Sequence, residues 1–301
     1  MSRAYRGLNE SVGYAVVARE AAERIAAGAT LQHLSSPKPA EGANHVYRIW
    51  RDEGTVIFKT YGSSSRDRRE THALDALQNV PGVPKVLTRG VDEGTHWAIF
   101  VDGGKWSLET LPENPGLAEK AGETLAAIHD ADDGAFSNLT RGIDEAWIAT
   151  DLASTLKRLE RYRRRLGISG ETLDIARDVP PPHATEPKVS HTKPVARKFV
   201  VDDKGVLTLV NWEWATLAPP EWDLSRAAWS VAMHEGPSAA DGVMRGYGVT
   251  IDPEQLDRWI VYHAAQELLH LADQRTSSKA RDLPGNLIPE FERAVLGAAR
   301  A

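Results

Sequence analysis

Hydrophobic and polar positions in the first hundred residues follow two different periodicities. Apolar residues recur at helical spacing over residues 15–27 and again over residues 66–78. Between and after these helices, short apolar runs of strand length are separated by turn residues, among them Gly54 and Gly94. The predicted strands cover residues 45–50, 55–61, 84–90 and 95–102. This part of the chain is therefore predicted to form an antiparallel sheet with accompanying helices.

The remainder of the chain is predicted to be mostly helical. Helical periodicity covers residues 117–129, 145–166 and most of the chain from residue 220 onward. The exception is a proline-rich loop at residues 179–187, followed by two short apolar strands at 198–202 and 206–212. Strands first and helices second indicate an α+β chain with two unequal lobes. We expect an N-lobe over residues 1–102 and a C-lobe over residues 103–301.

The composition narrows the class of protein. The chain has 301 residues, of which 42% are hydrophobic and 26% charged, as in ordinary globular domains. Its net charge of -6 gives no reason to expect a nucleic-acid partner. The absence of cysteine excludes disulfides, thiolate catalysis and Cys-ligated zinc. No apolar leader and no run of membrane-spanning length is present, so we expect a cytoplasmic protein without a membrane partner.

Several short segments stand in an order that resembles a known family. They are EGANHVYR at residues 41–48, VIFK ending at Lys59, RRETHALDAL containing Glu70, HTKPVARKFVVD at 191–202 and PPEWDL at 219–224. Together they resemble the aminoglycoside phosphotransferase and choline kinase family, which shares the protein-kinase fold. The resemblance implies a bilobal α+β architecture, with a small β-rich N-lobe and a larger, mainly helical C-lobe.

The resemblance implies a nucleotide site in the N-lobe. Gly42 and Asn44 lie in the segment that matches the nucleotide loop, where a glycine turn lets the backbone approach phosphates. Lys59 matches the phosphate-binding lysine of the family, and Glu70 matches the helix glutamate that pairs with it. The alternative is that Lys59 and Glu70 are unrelated solvated charges.

The C-lobe segment departs from the family at the positions that carry catalysis. The family reads His-Gly-Asp-x-His-x-x-Asn, and an ungapped match keeps His191 but puts Lys193 on the catalytic aspartate. Lys198 falls on the metal-binding asparagine, and Asn211 on the second metal-binding acid. Two aspartates and one asparagine carry a formal charge of -2, whereas two lysines and one asparagine carry +2. Asp223, in PPEWDL, matches the acid that braces the catalytic loop.

These substitutions remove what metal-dependent phosphoryl transfer needs. A lysine ammonium accepts no hydrogen bond and repels a divalent cation, and an amide oxygen is a weaker metal ligand than a carboxylate. His191 and Glu213 are the candidate substitutes if the site is rearranged. The lysines are either the product of drift or a cationic cleft that holds a triphosphate without metal. The expected cofactor is thus ATP or another nucleotide without Mg²⁺, and no bound metal is expected.

A basic stretch in the predicted helix 145–166 is a candidate partner surface. It reads KRLERYRRR over residues 157–165, and it is either a solvated helix face or a surface for an acidic peptide, a phosphorylated ligand or a partner protein. The candidate surface residues are Trp147, Arg158, Arg161, Tyr162 and Arg165.

Two functions follow from the sequence. The first is a pseudokinase that binds a nucleotide, an anionic ligand, a peptide or a partner enzyme. By analogy with the family, it would act in a natural-product pathway that modifies peptides. The alternative is an active ATP-dependent phosphotransferase that acts on a small-molecule or peptide hydroxyl with a rearranged site.

Overall fold

The fold is α+β, as the sequence predicts. In a computed structural model, an antiparallel sheet lies in the N-terminal part of the chain and the C-terminal part is mainly helical. The structure describes residues 18–24, 28–34, 43–111, 115–132, 136, 142–274 and 286–300. The chain divides into two compact units, one of residues 1–106 and 200–215, the other of residues 107–199 and 216–301. Each unit is therefore built from two separate stretches of the chain.

The first unit is built on a five-stranded antiparallel sheet in the order β1-β2-β3-β5-β4. The strands are β1 Thr30–His33, β2 His45–Arg51, β3 Gly54–Thr60, β4 Val86–Asp92 and β5 Thr95–Val101. The predicted hairpin is confirmed: His45 pairs with Thr60 and Arg51 with Gly54, and Gly54 has a φ of 127°. The predicted strand pair 84–90 and 95–102 is confirmed as β4 and β5.

Helix α1, Ser64–Ala76, follows β3 and confirms the helix predicted at residues 66–78. It buries Glu70, Ala73 and Leu74. The apolar side chains at the centre of this unit come from the strands and from a helical stretch at residues 18–24, within the helix predicted at 15–27. They are Ala21, Ala22, Tyr47, Ile49, Phe58 and Ile99. A buried carboxylate on a helix is unusual and needs a partner. Glu70 is therefore described with the candidate site.

Residues 200–215 complete the first unit, although they lie far along the chain. Strands β6 Trp106–Ser107, β8 Phe199–Val201 and β9 Leu207–Leu209 form a three-stranded sheet. The Leu209 N–H donates to the carbonyl oxygen of Gly82 at 2.8 Å. A Cβ on Gly104 would lie 1.9 Å from the Val201 carbonyl oxygen, so only glycine permits this approach. The returning segment is thereby fixed against the N-terminal sheet region.

The second unit is mainly helical. Its helices are α2 Pro115–His129, α3 Glu145–Leu166, α4 Gly170–Asp178, α5 Pro220–Glu235, α6 Pro237–Tyr247, α7 Pro253–Gln274 and α8 Leu287–Ala299. Strands β7 Lys188–Ser190 and β10 Thr216–Ala218 form a two-stranded sheet. Among the described residues, no helix is both long and apolar enough to cross a membrane.

Helix α3 has the bounds predicted from the sequence. The Asp144 side chain caps its first turn by accepting a hydrogen bond from the Trp147 N–H, and Gly167 ends it in the left-handed conformation. Its buried face carries Ile148, Leu152, Leu156 and Leu159 toward the main core of the unit, which includes Trp222, Trp259 and Phe291. Both ends of α3 are thus fixed by local sequence signals, and the helix presents its opposite face to solvent.

Candidate functional site

Lys59 is held inside the first unit by its position on a central strand. It lies on β3, where its Cα pairs with Val46 on β2 and with Ala98 on β5. The side chain is buried, with 5% of its surface exposed. A buried ammonium is stable only where partners replace its lost water, so its neighbours decide what it can do.

The Lys59 ammonium donates two hydrogen bonds and lies next to a second carboxylate. Nζ donates to Glu70 Oε2 at 2.6 Å and to Asn211 Oδ1 at 2.7 Å. It also lies 3.4 Å from Glu213 Oε2. The structure therefore brings together four residues that the sequence assigns to the site, although they span more than 150 positions of the chain.

Glu70 ties the lysine strand to the returning segment. Its Oε2 binds Lys59, and its Oε1 accepts the backbone N–H of Trp212 at 2.8 Å. Both carboxylate oxygens are thus used. Removing one partner of such a buried ion pair typically costs about 3 to 5 kcal/mol, because the other charge is left without compensation. The pair is a structural element as well as a candidate ligand site.

Glu213 and Asn44 extend the cluster toward the loop that precedes β2. The Asn44 Nδ2 donates to Glu213 Oε2, while its Oδ1 accepts the Gly62 N–H at 2.9 Å. Glu213 Oε1 accepts from Trp214 Nε1 at 3.1 Å. Gly42, the other residue predicted for the nucleotide loop, lies outside the described residues.

Aromatic and cationic side chains that the sequence did not single out also belong to this cluster. The Tyr61 ring lies 5.1 Å from Lys59 Nζ. Burial and the nearby Glu70 raise the pKa of Tyr61, so its hydroxyl stays protonated. The guanidinium groups of Arg66 and Arg69, both on α1, lie 5.3 and 5.5 Å from the Trp214 ring. The only sequence signal for this arrangement was the helical spacing of the two arginines.

In the second unit, Asp223 braces the segment that matches the catalytic loop. Its Oδ2 accepts the His191 N–H at 2.6 Å, and its Oδ1 accepts the Thr192 N–H at 2.7 Å. Trp222 Nε1 donates to the Thr192 carbonyl oxygen at 2.9 Å. The bracing role predicted for Asp223 is confirmed. Asp223 and Trp222 together fix the backbone of this segment at residues 191 and 192.

His129 holds Asp223 and is in turn held by Tyr247. His129 Nε2 lies 3.4 Å from Asp223 Oδ2, and His129 Nδ1 lies 2.8 Å from the Tyr247 hydroxyl. Because a carboxylate only accepts hydrogen bonds, a neutral His129 carries its proton on Nε2 and accepts from Tyr247 through Nδ1. Helices α2, α5 and α6 thus converge on one buried carboxylate.

His191, Lys193 and Lys198 all lie on this braced segment. His191 is fully buried, and its Nδ1 accepts the Lys193 N–H at 3.2 Å. Lys193 and Lys198 are both partly exposed. Lys198 ends a 3-10 turn over Ala196–Lys198, with its N–H bonded to the Val195 carbonyl oxygen at 2.8 Å.

The residues present do not fit the Mg²⁺ that the family resemblance implies. One of the two matched metal positions carries the cation Lys198, and the amide oxygen of the other, Asn211, already accepts from Lys59. Within the part of the chain that the structure describes, no three His, Asp or Glu side chains are grouped so as to hold a metal ion. Glu213 lies two residues after Asn211 along the chain, and its carboxylate also contacts Lys59.

The basic helix α3 is largely tied to its own unit. Arg158 and the Tyr162 hydroxyl both bind the Asp273 carboxylate, at 2.5 and 3.1 Å. Arg165 donates to the Ala272 carbonyl oxygen and lies over the Tyr162 ring. Arg161 has no partner among the described residues, and Trp147 is 43% exposed. Of the predicted surface residues, Arg158, Tyr162 and Arg165 are therefore bound to their own unit, whereas Trp147 and Arg161 are available for a partner.

An antiparallel sheet carrying a buried lysine–glutamate pair, followed along the chain by a helical unit with an aspartate-braced loop, defines a kinase-like fold. The sequence comparison gives the family. Residues 37–259 match the model of the phosphotransferase enzyme family (APH), and the chain belongs to that family. No match was found among curated protein sequences.

Solved structures share the fold at low sequence identity. Aminoglycoside phosphotransferase APH(4)-Ia is 12% identical, with a TM-score of 0.65 over 95% of this chain and 98% of that one. Spectinomycin phosphotransferase, solved with ADP and spectinomycin, is 12% identical, with a TM-score of 0.62 over 89% and 92% of the two chains. A choline/ethanolamine kinase family protein from Mesorhizobium loti is 19% identical, with a TM-score of 0.58 over 94% and 100%.

Proposed function

We propose that this protein is a kinase-like binding protein that holds a nucleotide, or another phosphate-bearing anion, at Lys59 without efficient phosphoryl transfer. The observation that carries the proposal is the 2.7 Å hydrogen bond from Lys59 Nζ to Asn211 Oδ1. Asn211 stands where the family resemblance puts a metal-binding acid. Its side-chain amide accepts a hydrogen bond from Lys59, the residue that matches the phosphate-binding lysine.

The charge balance around Lys59 supports a site that does not depend on a divalent cation. Lys59, Glu70 and Glu213 carry one positive and two negative charges, a net charge of -1. An aspartate at position 211 would make it -2. Since one unit charge pair about 4 Å apart is worth roughly 4 kcal/mol at an effective dielectric constant near 20, Asn211 weakens the attraction for Mg²⁺ considerably.

The proposed ligand and partner follow from the family and from the charge on α3. ADP in the related spectinomycin phosphotransferase structure supports a nucleotide as the ligand. The basic helix supports a peptide or a partner enzyme as the macromolecule, as a degenerate member of a peptide-modifying pathway would need. In this proposal the kinase-like fold presents a bound partner instead of modifying it.

One observation favours a second candidate, an active phosphotransferase. Glu213 keeps a carboxylate 3.4 Å from Lys59 Nζ, beside the position where the acid is missing. If Glu213 left Lys59 for a metal ion, ATP-dependent transfer to a small-molecule or peptide hydroxyl would again have one acidic ligand. This candidate requires Mg²⁺, whereas the first does not.

The two candidates are separated by titrating the purified protein with ADP and ATP, in Mg²⁺ and in EDTA, by calorimetry and thermal unfolding. The binding protein is expected to show similar affinity in both conditions, no ADP formation from ATP, and loss of binding in Lys59→Ala. The phosphotransferase is expected to bind ATP only with Mg²⁺, to release ADP, and to lose turnover in Glu213→Gln.

Substitutions at the changed positions sharpen the result. Asn211→Asp restores the missing acid, so we expect it to gain a Mg²⁺-dependent rise in melting temperature that the natural protein lacks. Asn286→Asp, at the start of α8, is a matched control that should gain none. Lys193→Ala and Lys198→Ala test whether either lysine contributes to anion binding. Mg²⁺-dependent turnover by the unaltered protein would overturn the first candidate.

A further inference from the structure

Helix α3 carries one continuous exposed stripe along its whole length. Its positions alternate in steps of three and four residues, which keeps them on one face of a helix. All six are exposed: Trp147, Thr150, Ser154, Lys157, Arg161 and Arg164. The first half of this α3 stripe has an aromatic side chain and two small polar ones, and the second half has three cations.

The three cations of the α3 stripe differ from the other basic residues of the helix. Arg158, Arg163 and Arg165 are bound to Asp273, Glu160 and the Ala272 carbonyl oxygen. By contrast, the cations of the stripe have no hydrogen-bond or ion-pair partner among the described residues. Lys157, Arg161 and Arg164 thus form an aligned, uncompensated positive strip on a protein whose net charge is -6.

We propose that the α3 stripe is a docking surface for an acidic peptide segment of a partner protein. Charge complementarity supplies the argument, because three aligned free cations attract carboxylates and disfavour a basic partner. Trp147 supplies an apolar contact at the other end, and its indole lies 6.2 Å from the buried Trp222 ring, which supports it from below. This proposal rests on the part of the proposed function that gives the protein a peptide partner.

The geometry of the stripe sets the form of the peptide. From Trp147 to Arg164 the helix rises roughly 25 Å at about 1.5 Å per residue. An extended peptide covers that length in about eight residues at about 3.3 Å each. The peptide should therefore carry an apolar residue at one end and carboxylates in its other half. The small side chains of Thr150 and Ser154 leave room for its backbone between these contacts.

The negative net charge favours a peptide over nucleic acid or an anionic membrane. A nucleic-acid or membrane surface extends well beyond the stripe and would meet the acidic remainder of the protein, whereas a short peptide meets the strip alone. Exposed ion pairs are individually weak, so binding is expected to depend on all three cations and to fall as salt rises.

The test is fluorescence anisotropy with a fluorescein-labelled octapeptide that has a phenylalanine at one end and three glutamates in its other half. We expect binding to the full chain at low salt, weakened about 10-fold or more when Lys157, Arg161 and Arg164 are all replaced by glutamate. Trp147→Ala should weaken binding without changing its salt dependence, since it removes an uncharged contact.

A matched control replaces Arg51, Lys85 and Lys204 by glutamate. These three are exposed cations whose side chains have no hydrogen-bond or ion-pair partner among the described residues, and the change in net charge is the same. The control should bind the peptide within about 3-fold of the natural protein, because only long-range charge has changed. Thermal unfolding of each variant verifies that it is folded.

Equal weakening in the two triple variants would overturn the proposal, as would tighter strip-dependent binding of a single-stranded oligonucleotide or of phosphatidylserine vesicles. ADP titrations on the same samples keep the two proposals apart. Failure to bind the peptide with ADP binding intact overturns the docking surface alone. Strip-dependent peptide binding without ADP binding supports the docking surface and counts against the nucleotide site.

Discussion

Thr192 and Asn211 both have a positive φ, 64° for the threonine and 76° for the asparagine. Asparagine tolerates this left-handed conformation, whereas a β-branched residue is strained in it. The family resemblance puts glycine at position 192, where the strain would vanish. Here the Asp223 carboxylate and the Trp222 indole hold the Thr192 backbone in place.

Replacing Thr192 by glycine should stabilise the protein. The left-handed conformation costs threonine about 1 to 2 kcal/mol, and glycine gives back about 0.5 to 1 kcal/mol through unfolded-state entropy. We expect the free energy of unfolding to rise by about 0.5 to 1 kcal/mol, measured by urea denaturation. Thr216→Gly, in the regular strand β10, is the control and should lower it by about 1 kcal/mol. A loss in both variants would show that Thr192 is unstrained.

His263 is a fully buried residue of α7. Its Nε2 lies 2.9 Å from the Ser225 hydroxyl, and its Nδ1 has no hydrogen-bond partner among the described residues. Burial, with a further contribution from the nearby Arg226, lowers the pKa of His263 well below its ordinary value. The imidazole therefore stays neutral in the folded protein.

This pKa shift predicts a loss of stability in mild acid. The unfolded chain binds a proton at His263 near pH 6.5 and the folded chain does not, so unfolding becomes more favourable as pH falls below that value. Between pH 7 and pH 5.5 the free energy of unfolding should fall by about 1 kcal/mol more in the natural protein than in His263→Phe. Urea denaturation at both pH values measures the difference. Equal losses in the two proteins would contradict the assignment.

Helices α2 and α6 cross at two glycines that face each other's backbone. A Cβ on Gly122 would lie 2.0 Å from the Val243 carbonyl oxygen, and one on Gly246 would lie 1.8 Å from the Glu119 carbonyl oxygen. The same helices carry His129, which contacts Asp223, and Tyr247, which holds His129. The close crossing therefore sets the position of the brace beneath the loop of His191.

Either Gly122→Ala or Gly246→Ala should force the helices apart. We expect each to lower the free energy of unfolding by about 3 kcal/mol, because a methyl group cannot be accommodated against backbone atoms. Gly170→Ala, whose new methyl would meet only the Arg163 side chain at 3.4 Å, is the control and should change stability by less than about 1 kcal/mol. Urea denaturation gives all three values. A mild effect at both crossing glycines would mean that the helices can separate freely.

The first unit depends on a segment from far along the chain. Asn211 and the Trp212 N–H are the partners of Lys59 and Glu70, and the Leu209 N–H bonds to Gly82. A fragment that ends at residue 106 has the sheet and the Lys59–Glu70 pair, but it lacks the hydrogen bonds that residues 209–212 supply to Lys59, Glu70 and Gly82. Each buried polar group left without its hydrogen bond costs about 1 to 3 kcal/mol, so three such losses are comparable to the stability of a small domain.

The fragment 1–106 is therefore expected not to fold by itself. Circular dichroism and chemical-shift dispersion should show an unfolded ensemble, and addition of a peptide covering residues 200–215 should restore cooperative unfolding. The same peptide with Asn211 and Trp212 replaced by alanine is the control and should restore less. Cooperative unfolding of the fragment alone would show that the first unit does not need residues 200–215.

Local sequence signals determined the long elements. The bounds of α3 follow from the cap at Asp144 and the left-handed Gly167, and the β2–β3 hairpin from its glycine turn. Helix α4 was not predicted, although Ser169 caps it by accepting from the Thr172 N–H and so gave a usable signal. The short strands β1, β7 and β10 carry too few residues for a periodicity to show.

The sequence by itself determined the segments that carry the family resemblance. From that resemblance comes the prediction that Lys193, Lys198 and Asn211 stand where the family has two aspartates and an asparagine. Caps, turns and periodicity act over a few residues, so they can be read from the chain. Only the tertiary structure decided that Asn211 and Glu213 contact Lys59. It also decided which cations of α3 are bound: Arg158 and Arg165 have hydrogen-bond partners, whereas Arg161 has none among the described residues. These partners lie about a hundred residues or more apart, and the path of the folded chain alone brings them within hydrogen-bonding distance.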